Sequence, residues 1–245
     1  MAPRGVVLVH GAWHGAWVWD RVLPLLRSAG VDAVALDLPG HGADASPLGD
    51  LHADSRAVTR ALDGLGSRGA EPVLLVGHSY GGAVITEAGA HPAVAGLVYL
   101  AAFPLRADES CARAAPDEGA DIDHSGRPDL SAGFIHRQDG SITLERGLAA
   151  ECFYSDCDPS ATAWALERLG PQLAASLTQS PTEAAWLEKP STYVVCSQDR
   201  ATHPDLQRIL ARRCTSSVEW PTGHSPFLSQ PERVAGLLVD LSTAD

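Results

Sequence analysis

The sequence predicts an α/β fold: a doubly wound, mainly parallel sheet of about six strands, interrupted by one helical cap insertion. Three observations lead there. Continuously apolar runs recur at Val6–Val9, Val73–Val76, Val94–Leu100 and Thr192–Cys196, the pattern of strands buried on both faces. Helix-compatible segments separate most of them at the spacing of right-handed βα units. The rhythm then stops between Pro104 and Lys189, where no buried strand is readable, and resumes afterwards.

The elements follow in order. Val6–Val9 is the first strand, and a Gly-rich loop, His10–Gly15, leads into a helix ending near Ser28. Ala33–Leu36 is the second strand, followed by the loop Asp37-Leu38-Pro39-Gly40-His41-Gly42. A long helix is expected from Asp50 to Ser67, then a strand over Pro72–Val76, a helix over Tyr80–Ala90 and a strand over Val94–Leu100. Arg106–Ser131 is polar and rich in Gly, Pro and Asp, which predicts a mobile loop or short hairpin. Glu145–Phe153, Pro159–Leu169, Pro171–Leu177 and Pro181–Leu187 read as short helices. The sheet resumes at Thr192–Cys196, with a helix over Pro204–Arg213, a last strand at Ser217–Trp220 and one helix from Pro226 to Leu241. The expected division is therefore a core at 1–103 and 190–245, with the cap at 104–189.

Composition narrows the class. At 245 residues with a formal net charge of −12 and no basic cluster, the chain is not expected to bind nucleic acid. The five cysteines are scattered and odd in number, which matches neither a disulfide framework nor a zinc site. The apolar run after the N-terminal Met1 is too short for a signal segment or a membrane span, so a cytoplasmic protein without membrane contact is expected. The expected partner is a small-molecule substrate. A homodimer is the assembly left open.

The chemistry concentrates at Gly77-His78-Ser79-Tyr80-Gly81-Gly82, where a buried strand passes directly into a helix. G-x-S-x-G in that context is a nucleophile elbow: the tight turn lifts Ser79 above the sheet edge, and the Tyr80 N–H opens the helix where an oxyanion would form. A serine needs a base, and the base an orienting acid. His224 follows the last strand and Asp199 the one before it, so both fall at the edge that carries Ser79. His203 follows Asp199 too closely, Asp205 lies within a helix, and Glu219 precedes the loop. The Ala12 N–H, in the small-residue loop after the first strand, is the expected second oxyanion donor. His10 and His14 share a four-residue spacing, but they sit on a loop without a carboxylate. No metal or cofactor is expected. Trp13, Phe103, Phe134, Phe153, Tyr154, Trp164 and Trp186 are candidates to line an apolar pocket between core and cap.

His10-Gly11-Ala12-Trp13-His14-Gly15-Ala16-Trp17, Asp37–Gly42 and Gly77–Gly82 together resemble the α/β-hydrolase superfamily, within it the plant methylesterase and hydroxynitrile-lyase branch and its bacterial esterase relatives. The resemblance spans the whole chain. It implies Ser79, Asp199 and His224 as a triad, with the Ala12 and Tyr80 N–H groups as oxyanion hole. The cyanogenic lyases of that branch carry threonine at the position of Gly11 and lysine directly after the catalytic histidine, where this chain has Ser225. These departures favour an esterase for small to medium, uncharged esters or lactones, aromatic ones included. The alternatives are a lyase, a cofactor-free oxygenase or a biosynthetic rearrangement on the same triad, and a ligand receptor that retains the fold.

Overall fold

The computed structural model describes residues 5–66 and 72–243. The first half of the core contains β1 (Gly5–Val9), α1 (Leu23–Ser28), β2 (Asp32–Leu36), α2 (Leu51–Gly66), β3 (Val73–His78), α3 (Tyr80–Ala88) and β4 (Val94–Leu100). An insertion follows: β5 (Phe134–His136), β6 (Ser141–Leu144), α4 (Arg146–Phe153), α5 (Pro159–Leu166), β7 (Gln172–Leu173) and α6 (Ala174–Thr178). The core closes with β8 (Ser191–Cys196), α7 (Pro204–Ala211), β9 (Ser216–Trp220), α8 (Pro226–Ser229) and α9 (Pro231–Thr243).

Six strands pair in the order β2-β1-β3-β4-β8-β9, every pair parallel. The all-apolar strands take the middle of the sheet, where both faces are covered: β1, β3, β4 and β8 are almost wholly buried. The edges go to β2 and β9, whose Asp32, Ser216 and Glu219 face water. All carboxyl ends lie along one edge, so residues distant in sequence converge there.

Several helix boundaries shift from the sequence expectation for reasons of backbone chemistry. The segment after β1 splits into a 3-10 turn at Ala16–Trp19 and then α1, which starts with Pro24 in its first turn, where a missing N–H costs nothing. The expected C-terminal helix breaks at Gln230: preceding Pro231, that residue is pushed out of helical geometry to φ −141°. Ser67, the expected end of α2, lies outside the described residues.

The insertion differs more. Besides helices it holds a three-stranded antiparallel sheet in the order β5-β6-β7. Pro171–Leu177 divides into strand and helix, and Pro181–Leu187 contributes only a 3-10 turn at Ala185–Leu187. These strands are too short to give a readable period. Residues 106–131 are also better anchored than their composition suggests. Arg213 grips the buried Glu109 through two nitrogens at 2.5 and 2.7 Å, and Glu109 accepts from the Arg106 and Ala115 N–H groups. A buried carboxylate with all these donors ties the loop to the turn that follows α7.

The turn from β3 to α3 leaves no room for side chains at its glycines. A Cβ on Gly81 would stand 2.5 Å from the His10 carbonyl oxygen, and one on Gly77 would stand 2.5 Å from that of Gly81. Both obstacles are backbone and cannot rotate away. Gly81→Ala is therefore expected to destabilise the fold by about 1–3 kcal/mol or more, read as a lower denaturant midpoint. A midpoint equal to wild type would show that the crossing of β1 and α3 is looser than described.

Candidate active site

Ser79 sits at φ 51° and ψ −121°, outside the regions that L-residues favour, between the end of β3 and the first turn of α3. Its N–H donates to the Leu100 carbonyl at the end of β4, which helps to hold the turn. The Tyr80 N–H opens α3 and has no carbonyl within the helix to bond. Oγ of Ser79 makes no hydrogen bond among the described residues.

His224 and Asp199 come from the loops after β9 and β8. Asp199 Oδ2 accepts from His224 Nδ1 at 2.7 Å, which leaves Nε2 as the ring nitrogen for proton exchange. The carboxylate is fully buried and fully occupied. Oδ1 accepts from the Ala201 and Thr202 N–H groups at 2.7 and 2.9 Å, and Oδ2 also accepts from Gln207 Nε2 at 2.8 Å. Donors of this number fix the orientation of the carboxylate.

The loop carrying His224 is held from three sides. His78 Nε2 donates to the His224 carbonyl at 2.9 Å. Asp156, from the insertion, accepts from the Gly223 N–H and from Ser229 Oγ, each at 2.8 Å. Phe153 stacks on the His224 ring with centroids 5.4 Å apart. Gln207, His78 and Asp156 escape sequence reasoning because each acts through tertiary contacts that no local motif announces.

Ser79, Tyr80, Ala12 and His224 line one cavity of 740 Å³. That volume suits a small organic ligand. Of the sequence candidates, Trp13, Phe103, Phe134 and Phe153 lie in its wall, joined by Ile142 and Leu177. Tyr154, Trp164 and Trp186 do not. Tyr154 is buried, with its hydroxyl donating to His14 Nε2 at 2.8 Å. Trp164 packs edge-on against Trp17 with Arg168 over its ring at 4.3 Å, and Trp186 donates to the Leu105 carbonyl. Aromatic residues near a site are as useful for packing as for lining, and the sequence does not separate the two.

His10 and His14 are each committed to hydrogen bonds. Nδ1 of His10 donates to the Gly11 carbonyl while Nε2 accepts from the Leu38 N–H. Nδ1 of His14 donates to the Ala12 carbonyl at 2.6 Å. Burial holds both rings neutral, pushing His14 down to about 3 and His10 well below the usual histidine range. His78 is lowered for the same reason.

Sheet order, strained turn and side-chain arrangement are together those of an α/β hydrolase. A model of the alpha/beta hydrolase family matches residues 6–237, and the chain belongs to that family. Methyl jasmonate esterase 1 of Vitis vinifera is 28% identical over 268 residues, covering 97% of this chain and 96% of that one. A pyrethroid hydrolase of Sphingobium wenxiniae is 28% identical over 257 residues, covering 100% and 89%. Among solved structures, polyneuridine aldehyde esterase matches with a TM-score of 0.82 at 22% identity over 98% of this chain and 99% of that one, a likeness of fold. No helix among the described residues is long and apolar enough to cross a membrane.

Beneath the turn, Tyr80 donates its hydroxyl to Asp54 Oδ2 at 2.6 Å, and Asp54 Oδ1 is buried without a partner. Burial, with only one donor to offset it, pushes the Asp54 carboxyl up from 3.8 to about 7. The folded chain thus binds this proton more tightly than the unfolded chain does. Stability contributed by neutral Asp54 is present at low pH and is lost as pH rises from about 4 to about 7, by on the order of a few kcal/mol. Asp54→Asn keeps an acceptor for Tyr80 and should escape this loss, so its denaturant midpoint should gain on wild type across that range. Parallel midpoint curves would rule out the shift.

Proposed function

We propose that this hydrolase is a serine carboxylesterase for small to medium, uncharged esters or lactones, aromatic ones included. The observation that carries the reading is the 2.7 Å bond from His224 Nδ1 to Asp199, in a loop that presents His224 to the cavity lined by Ser79. In the proposed sequence, Ser79 Oγ attacks the acyl carbon as its proton passes to His224 Nε2. The Ala12 and Tyr80 N–H groups receive the developing oxyanion, and Asp199 stabilises the imidazolium. His224 then protonates the departing alcohol, and water, deprotonated by the same ring, releases the acid and restores Ser79.

The apolar wall of Trp13, Phe103, Phe134, Ile142, Phe153 and Leu177 supports an uncharged acyl or alcohol group, with the insertion serving as a cap. Gly11 supports hydrolysis over cyanohydrin cleavage. A Cβ there would lie 2.9 Å from His78 Nδ1 and 3.0 Å from Ser79 Cβ, so a threonine does not fit without displacing the turn. The five thiols, all free, fit a cytoplasmic setting.

Steady-state hydrolysis of p-nitrophenyl acetate, butyrate and octanoate tests the reading. Ser79→Ala should lower kcat/KM by about 10⁴-fold or more, and Asp199→Asn by roughly 10³–10⁴-fold. The trend with chain length measures the pocket. Negligible hydrolysis by folded wild type would shift the reading to non-hydrolytic chemistry on the same residues.

A further inference from the structure

Trp13, the residue after the proposed oxyanion donor Ala12, has φ 64°, a left-handed conformation that a bulky side chain rarely adopts. Such a conformation persists only where the surroundings over-determine it. Here the surroundings belong to the insertion. The Trp13 N–H donates to Gln172 Oε1 at 3.1 Å, its indole Nε1 donates to the Ile142 carbonyl at 3.1 Å, and its own carbonyl accepts from the Gly170 N–H at 2.8 Å. Every polar group of Trp13 is thus bonded to β6, to β7 or to the chain that joins them.

Gln172 is the centre of this arrangement. It is fully buried and does not line the cavity. Its Oε1 also accepts from His41 Nε2 at 2.9 Å, and its Nε2 donates to Ser176 Oγ at 2.7 Å, which donates onward to the Leu173 carbonyl. One side chain therefore joins the loop after β1, the loop after β2 and the inserted sheet. The side-chain amide cannot turn over, because its oxygen has to face the Trp13 N–H and its nitrogen has to face Ser176.

We infer that Gln172 is a positioning residue for catalysis, holding Trp13 in its left-handed conformation so that the adjacent Ala12 N–H points into the cavity. This rests on the proposed esterase reading. The inserted sheet is then part of the oxyanion apparatus as well as a cover. Without the Gln172 acceptor, the Trp13 peptide loses the bond that opposes its strain, and the neighbouring Ala12 donor moves off the developing oxyanion. The cost falls on the transition state, since the ground-state ester makes little use of that donor.

Gln172→Met, similar in length but without polar atoms, should lower kcat by about 10–100-fold while KM stays within about threefold. Rates are expressed per active site, titrated by the acyl-enzyme burst, so that loss of folded protein does not count as loss of catalysis. An arylboronic acid supplies the readout that a merely structural role would not move. Ser79 Oγ adds to its boron with the proton passing to His224, and the resulting tetrahedral boronate places an oxygen in the oxyanion position. Its affinity should fall by the same factor as kcat/KM, while that of the isosteric substrate amide stays within about threefold. Should Gln172→Met not fold, Ser176→Ala, which frees the Gln172 amide, should show the same pairing with a drop of about 2–5-fold. A folded Gln172→Met with wild-type kcat, or boronate and amide affinities that fall together, would overturn the inference. Retention of activity by Ser79→Ala would instead remove the esterase reading beneath it.

Discussion

Two backbones cross almost in contact where β3 turns into α3 beneath the end of β1, and most of the site depends on that crossing. Gly81 faces the His10 carbonyl, Gly77 faces that of Gly81, and a Cβ on Gly82 would lie 2.5 Å from the Phe103 N–H. Close approach from three directions fixes Ser79 at positive φ, with its N–H tied to the end of β4. Strain in the turn is held by packing on every side, so the rest of the fold maintains a geometry that the local chain would abandon. The same crossing brings the loop after β1 beside the start of α3.

Around this turn, burial and hydrogen bonding divide the titratable groups into distinct states. Asp199 is buried but surrounded by donors, whereas Asp54 is buried with a single donor and is pushed up toward neutrality. His10, His14 and His78 are buried and held neutral, each with a defined tautomer set by a carbonyl acceptor. Neutral imidazoles add hydrogen-bonding capacity without adding positive charge beside His224.

The parts of this structure that are legible in the sequence are those whose signal is local. The central strands announce themselves as apolar runs, and the turn announces itself through glycines that only a crowded crossing requires. Ser79, Asp199 and His224 could be brought to one edge because a parallel sheet places every loop after a strand on the same side. Gln172, Gln207 and His78 were illegible for the opposite reason: a glutamine or histidine in an ordinary helical or strand context has nothing to mark it until the fold supplies its partners. The strands β5 to β7 leave no readable mark because each is too short for a period and the pairing of β6 with β7 is long-range. Residue type alone points Trp164 and Trp186 toward the pocket, and their packing on Arg168 and Leu105 depends on an orientation that the sequence does not state.

The insertion leaves the sheet after β4 and returns at β8, and these strands are neighbours. In connectivity alone it is a detachable module: its ends are close together, and its length can change at small entropic cost without disturbing the sheet. Chemically it is not detachable, because Gln172, Ile142 and Gly170 hold Trp13, and Asp156 holds the loop of His224. Divergence of the module is therefore expected to be uneven. Residues facing the cavity are free to drift with the ligand, while those few anchoring positions must be carried along in any exchange between homologues. A chimera that swaps the module without them would inherit a new pocket and lose the bonds that hold Trp13 and the loop of His224.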